Sequence, residues 1–114
     1  MPLSVREYFQ HILTETTYIL TSSAGLDKAT FVQDETLKRA YVRSIEVIGE
    51  AIKQIPDPLR QKYPTIDWRA ISGMRDRLIH GYFGIDYDIV WDVIANKIPA
   101  LDSDIRQIVT QEYP

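Results

Sequence analysis

The sequence predicts an all-α fold, a bundle of four to five helices that run up and down and are joined by short loops. Two observations predict it. In several segments apolar side chains recur every three or four residues, the spacing that gathers them on one face of a helix. No segment shows the strict alternation of apolar and polar residues that is typical of a half-buried strand. Proline and glycine clusters separate the helical segments, so the connections are short.

The first half of the chain contains two helical signals. Ser4 and Glu7 form a capping box that begins the first helix, and the polar residues 21–25 indicate its end. A second helical signal begins near residues 30–34 and ends before Pro56. It carries apolar or small residues at positions 37, 40, 41, 44, 45, 48, 51, 52 and 55. This spacing predicts one continuous buried face.

The second half predicts one further turn and two helices. Residues 59–63 are expected to form a single turn before Pro64. Asp67 is placed to cap a helix that runs from Trp68 to about Tyr82, with glycines at its end. Asp86 or Asp88 caps the last helix, which Pro99 either kinks or interrupts before the apolar spacing continues to Ile108.

Composition limits the classes of function. The chain has 114 residues, enough for a single domain over 1–114. It has no cysteine, which excludes disulfides, a thiol nucleophile and cysteine-based zinc sites, and its two histidines weigh against a histidine-rich metal site. There is no signal-peptide pattern at the N-terminus and no apolar run of about 20 residues, so we expect a cytoplasmic protein that does not enter the membrane. The net charge of −3 means that nucleic-acid binding would require a local basic patch.

The segment MRDRLIHGYF, residues 74–83, concentrates the candidate functional side chains. On a continuous helix, Arg75 falls inside an apolar stripe, where an arginine must be paired or must face a partner or ligand. His80 then lies about 140° further round the helix, so one chain does not aim both groups at one point. This geometry predicts a two-fold dimer with these residues at its seam, to which Arg77 also contributes. The same residues also fit a structural role, with Arg75 paired to a carboxylate and His80 interacting with the helix C-terminus.

The string RDRLIHGY, from Arg75 to Tyr82, has the form R-x4-H-x-Y and resembles the signature of HEPN domains, specifically the HepT-like toxin family of bacteria and archaea. The resemblance covers nearly the whole chain. RAYVRSIEVIGEAIKQIP resembles that family's second helix with its I-G-E-A. YPTIDWRAISGMRDRLIHGYFGID resembles its loop and motif helix, and VWDVIANKIPAL its last segment.

The resemblance implies a helical bundle that forms a homodimer, with the motif helices of the two chains lining a cleft. It implies an endoribonuclease that needs no metal or other cofactor and acts as the toxin of a toxin–antitoxin pair. The antitoxin partner would be an MNT-type nucleotidyltransferase that transfers AMP to the motif tyrosine, Tyr82. Many relatives have asparagine where this chain has Asp76, whose carboxylate would either repel RNA slightly or orient Arg75 or His80.

The residue types suit RNA cleavage. Histidine is the side chain whose ordinary pKa suits acid–base chemistry near neutral pH, which makes His80 the candidate acid and base. The guanidinium of Arg75 matches a phosphate and would stabilise the charge of the transition state. Tyr82 would hydrogen-bond the phosphate, and two copies of the chain would supply both an acid and a base. Basic residues from both chains would attract the RNA: Arg75, Arg77, Arg69 and Lys53.

Two other hypotheses remain open from the sequence. The chain could be a non-catalytic HEPN subunit that binds a nucleotidyltransferase or a nucleotide, which Asp76 and the acidic net charge favour. It could also be a structural helical dimer without a ligand. The complete R-x4-H-x-Y pattern favours the enzyme, because a scaffold has no need for a histidine at that position.

Overall fold

The computed structural model describes residues 3–80 and 84–114, and it describes residues 79 and 80 by their backbone alone. Within these ranges the chain is an all-α bundle, as the sequence predicts. No helix in the described part is both long enough and apolar enough to cross a membrane. The elements are α1 Val5–Ser23, α2 Lys28–Gln33, α3 Glu35–Lys53, α4 Asp57–Lys62, α5 Trp68–Ser72, α6 Met74–Leu78, β1 Ile79–His80, β2 Gly84–Ile85, α7 Tyr87–Asp92, a π-helical turn Val93–Lys97 and α8 Ile98–Glu112.

The predicted capping box at the start of α1 is confirmed. The Ser4 hydroxyl accepts from the Glu7 backbone N–H at 3.1 Å, and the Glu7 carboxylate accepts from the Ser4 N–H at 3.1 Å. The helix continues to Ser23, three residues into the predicted loop. The Ser22 hydroxyl donates to the Tyr18 carbonyl at 2.7 Å, so this polar residue is satisfied within the last turn. Gly25, with φ 76°, then makes the turn that leads to α2.

Helix α3 is the central element and packs against α1, α5 and α6. Its N-terminus is capped by Asp34, whose carboxylate accepts from the Leu37 N–H at 3.0 Å. The predicted buried face is confirmed, because positions 41, 44, 45, 48, 51 and 52 of the predicted set are all buried. The buried residues of α3 are Tyr41, Val42, Ser44, Ile45, Ile48, Gly49, Ala51 and Ile52.

The last helical segment is divided by a π-helical turn. Asp86, rather than Asp88, caps α7 by accepting from the backbone N–H groups of Asp88 and Ile89. In the π turn the Ile98 N–H bonds to the Val93 carbonyl, five residues back, and Pro99 follows within the first turn of α8. Proline is common in the first turn of an α-helix, because its fixed φ fits the helix.

A buried polar network joins α8 to α1. The Asp102 carboxylate accepts from the Thr16 hydroxyl at 2.7 Å and from the Arg106 guanidinium at 2.9 Å. Arg106 also donates to Thr17 at 2.8 Å. Because each of these groups is paired, the network fixes the register of the two helices without leaving a buried charge alone.

The end of α8 is tied to the residues around α4. Glu112 accepts from the Lys62 ammonium at 2.7 Å and from the Tyr63 hydroxyl at 2.6 Å. These hydrogen bonds, first the one from Lys62, lower the pKa of the Glu112 carboxyl, because they favour its charged form. The contact orders the chain immediately before the segment that carries the motif.

Candidate active site

The prediction of one continuous helix from Trp68 to about Tyr82 is wrong, because the structure has two short helices in its place. Helix α5 ends at Ser72, because the φ of −94° and ψ of 1° at the following Gly73 depart from helical values, and the one-turn helix α6 follows. Helix α6 ends at Leu78 because the Leu78 carbonyl accepts from the Asp86 N–H at 2.8 Å. The chain then enters β1, which pairs antiparallel with β2, His80 opposite Gly84.

Helix α5 is held by the residues that precede it. Asp67 caps it as predicted, accepting from the Ala70 N–H at 3.1 Å. The buried indole of Trp68 donates to the carbonyls of Arg60 and Tyr63 at 3.1 and 3.0 Å. The Arg60 guanidinium in turn donates to the carbonyls of Ile52 and Ile55, each at 2.8 Å. The start of the motif segment is therefore anchored to the C-terminal end of α3.

A glycine of α3 allows α5 to approach closely. A Cβ at Gly49 would lie 3.3 Å from the Ser72 carbonyl oxygen, so a larger residue would push the two backbones apart. The sequence does not predict the roles of Gly49, of Arg60 or of the indole of Trp68, because each depends on contacts with distant residues. A glycine within an otherwise regular helical pattern is a signal of such close packing.

The expectation that Arg75 lies within an apolar stripe is also wrong. Its side chain is 49% exposed, and its Nε lies 3.4 Å from a Glu46 carboxylate oxygen of α3. Its Nη1 lies 3.6 Å from the Asp76 carboxylate, an ion pair too long for a hydrogen bond. The break at Gly73 turns α6 relative to α5, so one helical wheel does not describe both. Exposed ion pairs of this kind contribute only about 0–1 kcal/mol, which leaves the guanidinium available to a phosphate.

The other basic residues of the predicted patch are divided between two surfaces. Arg69 and Arg77 line the same shallow groove beside Gly73. Arg77 is two residues after Arg75 and so points to the other side of α6. Lys53 lies on α3, where its ammonium pairs with Glu50 at 3.3 Å. The structure brings Arg69 and Arg77 together and places Arg75 towards α3.

The two remaining predicted site residues are His80 and Tyr82. His80 is placed by its backbone in β1, and its imidazole lies outside the described part of the chain. Tyr82 lies entirely outside the described residues. Because His80 follows the end of α6, the angle of about 140° from Arg75 that a regular helix would impose does not apply. The assignment of Arg75, His80 and Tyr82 to a catalytic site stays a prediction, as does the dimer.

Comparison with known proteins identifies the class to which this bundle and motif belong. A family model described as "Ribonuclease HepT-like" matches residues 7–108. The chain therefore belongs to the HepT-like ribonuclease family, within the HEPN class, which confirms the resemblance seen in the sequence.

Several relatives match nearly the whole chain. It is 43% identical over 107 residues to a protein of Caldanaerobacter subterraneus named "Putative RNase TTE0752", covering 94% of this chain and 96% of that one. It is 38% identical over 105 residues to "Putative RNase MJ0127" of Methanocaldococcus jannaschii, covering 92% and 87%. It is 32% identical over 108 residues to "Probable ribonuclease HepT" of Thermococcus cleftensis, covering 95% and 98%. No solved structure gives a significant match.

The anchoring role of Trp68 can be tested by replacing its indole. Trp68→Phe keeps an aromatic ring but removes the donor to the carbonyls of Arg60 and Tyr63. We expect the free energy of unfolding to fall by about 1–3 kcal/mol, because two part-buried acceptors lose their donor. Denaturant unfolding followed by circular dichroism measures it.

Trp91→Phe is the matched control, since the Trp91 ring packs on Phe31 and its indole makes no hydrogen bond within the described residues. An equal loss of stability in both variants would contradict the anchoring role of the Trp68 donor.

Proposed function

We propose that this chain is a metal-independent endoribonuclease that acts as the toxin of a toxin–antitoxin pair. The observation that supports it best is the position of Arg75. Its guanidinium is half exposed and held only by long contacts to Glu46 and Asp76, at the start of an R-x4-H-x-Y motif. Membership of the HepT-like ribonuclease family and relatives named as ribonucleases support the same activity.

The proposed chemistry uses the 2′-hydroxyl of RNA as the nucleophile. One imidazole of His80 removes the 2′ proton as the 2′ oxygen attacks the phosphorus. A second imidazole donates a proton to the departing 5′ oxygen, so that a cyclic phosphate and a free 5′-hydroxyl result. The guanidinium of Arg75 stabilises the negative charge of the crowded phosphate. To reach it, the guanidinium exchanges Glu46 and Asp76 for the phosphate, which costs little because those pairs are exposed.

We propose that the active form is a homodimer. Each chain has one histidine in the motif, whereas the reaction needs both a base and an acid. Two copies related by a two-fold axis supply one of each. They also bring arginines from both chains to one cleft, which gives a local cationic surface although the net charge of each chain is −3.

The catalytic assignment predicts the behaviour of two variants. His80→Ala and Arg75→Ala should each lower RNA cleavage by at least about 100-fold, since they remove acid–base catalysis and transition-state charge stabilisation respectively. Cleavage of a labelled RNA is measured with and without chelator, and circular dichroism checks that the variants remain helical.

The chain offers a matched control for each variant. His11→Ala removes the other histidine, and Arg39→Ala removes an exposed arginine of α3, so both should cleave RNA like the wild type. Full cleavage by His80→Ala, or complete inhibition by chelator, would contradict the proposed mechanism.

If each active site uses one imidazole from each chain, a His80→Ala chain should inactivate the wild-type chain with which it dimerises. When wild type and His80→Ala are mixed in equal amounts and allowed to exchange, we expect the activity per wild-type chain to fall to roughly half, because mixed dimers lack one imidazole. Cleavage rates before and after exchange measure this. An unchanged rate, or a monomeric mass in solution, would contradict the composite site.

We further propose that an MNT-type nucleotidyltransferase neutralises the toxin in the cytoplasm by transferring AMP to the Tyr82 hydroxyl. The added phosphate would place negative charge where the RNA phosphate must bind.

Tyr82→Phe should therefore escape neutralisation when the two proteins are produced together, whereas Tyr18→Phe, which changes an exposed tyrosine outside the motif, should not. Mass spectrometry of the intact chain detects the added AMP, and modification of Tyr82→Phe would contradict the assignment.

The second candidate is a non-catalytic HEPN subunit that binds a nucleotidyltransferase or a nucleotide. The Asp76 carboxylate, 3.6 Å from the Arg75 guanidinium, favours it because a negative charge beside a phosphate site weakens RNA binding. The cleavage assay decides between the two, since a non-catalytic subunit leaves RNA intact.

A further inference from the structure

A cavity of about 310 Å³ lies on the side of α6 that carries Arg77. It opens between α5 and α6 on one side and the π turn and α8 on the other. Ala70 and Ala100 lie on these opposing elements, and their small side chains leave the space open. The volume is at the lower end of the roughly 300–1,000 Å³ typical of small-molecule sites. The larger apolar residues that line it are Ile66, Ile71, Met74, Val93, Ile98 and Leu101.

Four charged residues also line this cavity, and they are not equivalent. Arg77 and Lys97 are exposed, and within the described part of the chain no carboxylate lies within 4.0 Å of either. The Asp67 carboxylate caps α5 by accepting from the Ala70 N–H at 3.1 Å. Asp104 is half-buried and has no hydrogen bond among the described residues. The cavity therefore combines two cations, one uncommitted carboxylate and apolar walls.

We propose that this cavity binds a purine nucleotide unit, with guanine preferred. The flat base would lie between the apolar walls, and its phosphate would pair with Arg77 and Lys97. The Asp104 carboxylate would accept hydrogen bonds from the base. Guanine presents two adjacent N–H donors, N1–H and N2–H, to a carboxylate, whereas adenine presents one donor beside an acceptor that repels it. The cavity is therefore selective for guanine as well as for phosphate.

The π turn contributes to the cavity. It begins at Val93, which lines the apolar wall, and ends at Lys97, one of the two cations. A π-helical turn is wider than an α-helical turn and is frequent at functional sites.

The nucleotide has two possible sources with the same chemistry. It is either a base of the RNA substrate beside the cleaved bond or a free guanine nucleotide. In the first case the proposal rests on the proposed ribonuclease function. Arg75 and Arg77 point to opposite sides of α6, a separation of about 10 Å across one helix, which neighbouring nucleotides of an RNA strand can span.

Binding of GMP, AMP, CMP and UMP is measured by isothermal titration calorimetry with the full-length wild type and with His80→Ala. We expect GMP to bind most tightly to both, because the proposed contacts to the base and phosphate come from other residues, Arg77, Lys97 and Asp104. Ala70→Leu and Ala100→Leu fill the cavity from opposite walls and should each weaken GMP binding at least about tenfold. Ala95→Leu, at an exposed position of the same π turn outside the cavity lining, should bind GMP like the wild type.

Asp104→Asn tests the choice of base. Replacing the carboxylate with an amide removes one of its two acceptors, so the preference for GMP over AMP should disappear while phosphate-dependent binding remains. A preference that survives in Asp104→Asn would overturn the role of Asp104.

Three results would overturn the assignment of the cavity as a nucleotide-binding site. The first is that GMP does not bind to the wild type at millimolar concentration. The second is that both leucine variants bind GMP as tightly as the wild type does. The third is that the wild type is a dimer and the leucine variants are monomers. The last result would assign the cavity to a contact between two copies of the chain. Circular dichroism confirms that the leucine variants fold, and the two variants change different helices, so a folding defect in one leaves the other informative.

The source of the base is decided with short RNA oligonucleotides that contain or lack guanine, titrated into His80→Ala so that they remain intact. Guanine-dependent binding that GMP displaces assigns the cavity to the RNA substrate, and binding of GMP alone assigns it to a free nucleotide. Because these are binding measurements, their failure is distinguishable from a failure of RNA cleavage. Absence of cleavage with retained GMP binding contradicts only the proposed function.

Discussion

The position of the motif segment depends on the buried indole of Trp68. Its N–H donates to two carbonyls of the preceding segment, and that segment is itself attached to the end of α3 through the guanidinium of Arg60. The central helix thus provides the fixed reference for a short and irregular stretch. Helices of one turn have little stability of their own, so α5 and α6 take their geometry from these tertiary contacts.

Helix α6 distributes the charges of the motif between two environments. Arg75 faces α3 and is balanced by Glu46, whereas Arg77 faces the groove and the cavity on the other side. An acidic chain can present a cationic surface in this way, because the carboxylate that balances one arginine is kept away from the other. The exposed pair with Glu46 also holds Arg75 without burying it, which is compatible with exchange for a ligand.

Much of the fold could be predicted because α1 and α3 each follow a local rule. The capping box of Ser4 and Glu7 and the buried face of α3 depend on residues within one or two turns of each other. The end of α6 could not be predicted in this way, since it depends on a hydrogen bond between Leu78 and Asp86, across a strand pair.

The family and the identities of the motif residues were available from the sequence, but the environment of Arg75 was not. A helical wheel assumes one axis, and a glycine such as Gly73 is compatible with both a continuous and a broken helix. The partner of Arg75 is Glu46, which lies 29 residues earlier in the chain, and local spacing contains no information about such a pair.

The π turn has a consequence for how the length of this chain can vary. Buried residues at 90, 94 and 98 are separated by four positions twice in succession. Residue 98 follows residue 90 by eight positions. In a regular α-helix its side chain would therefore lie about 80° further round the helix axis than that of residue 90, away from the core. The wider turn absorbs this excess, so α7 and α8 bury their faces on the same core. Surface loops in the bundle tolerate insertions and deletions. The π turn should tolerate one particular change, because deleting a single residue between Val93 and Lys97 removes the excess residue, lets the turn become regular α-helix and keeps Asp102 beside Thr16.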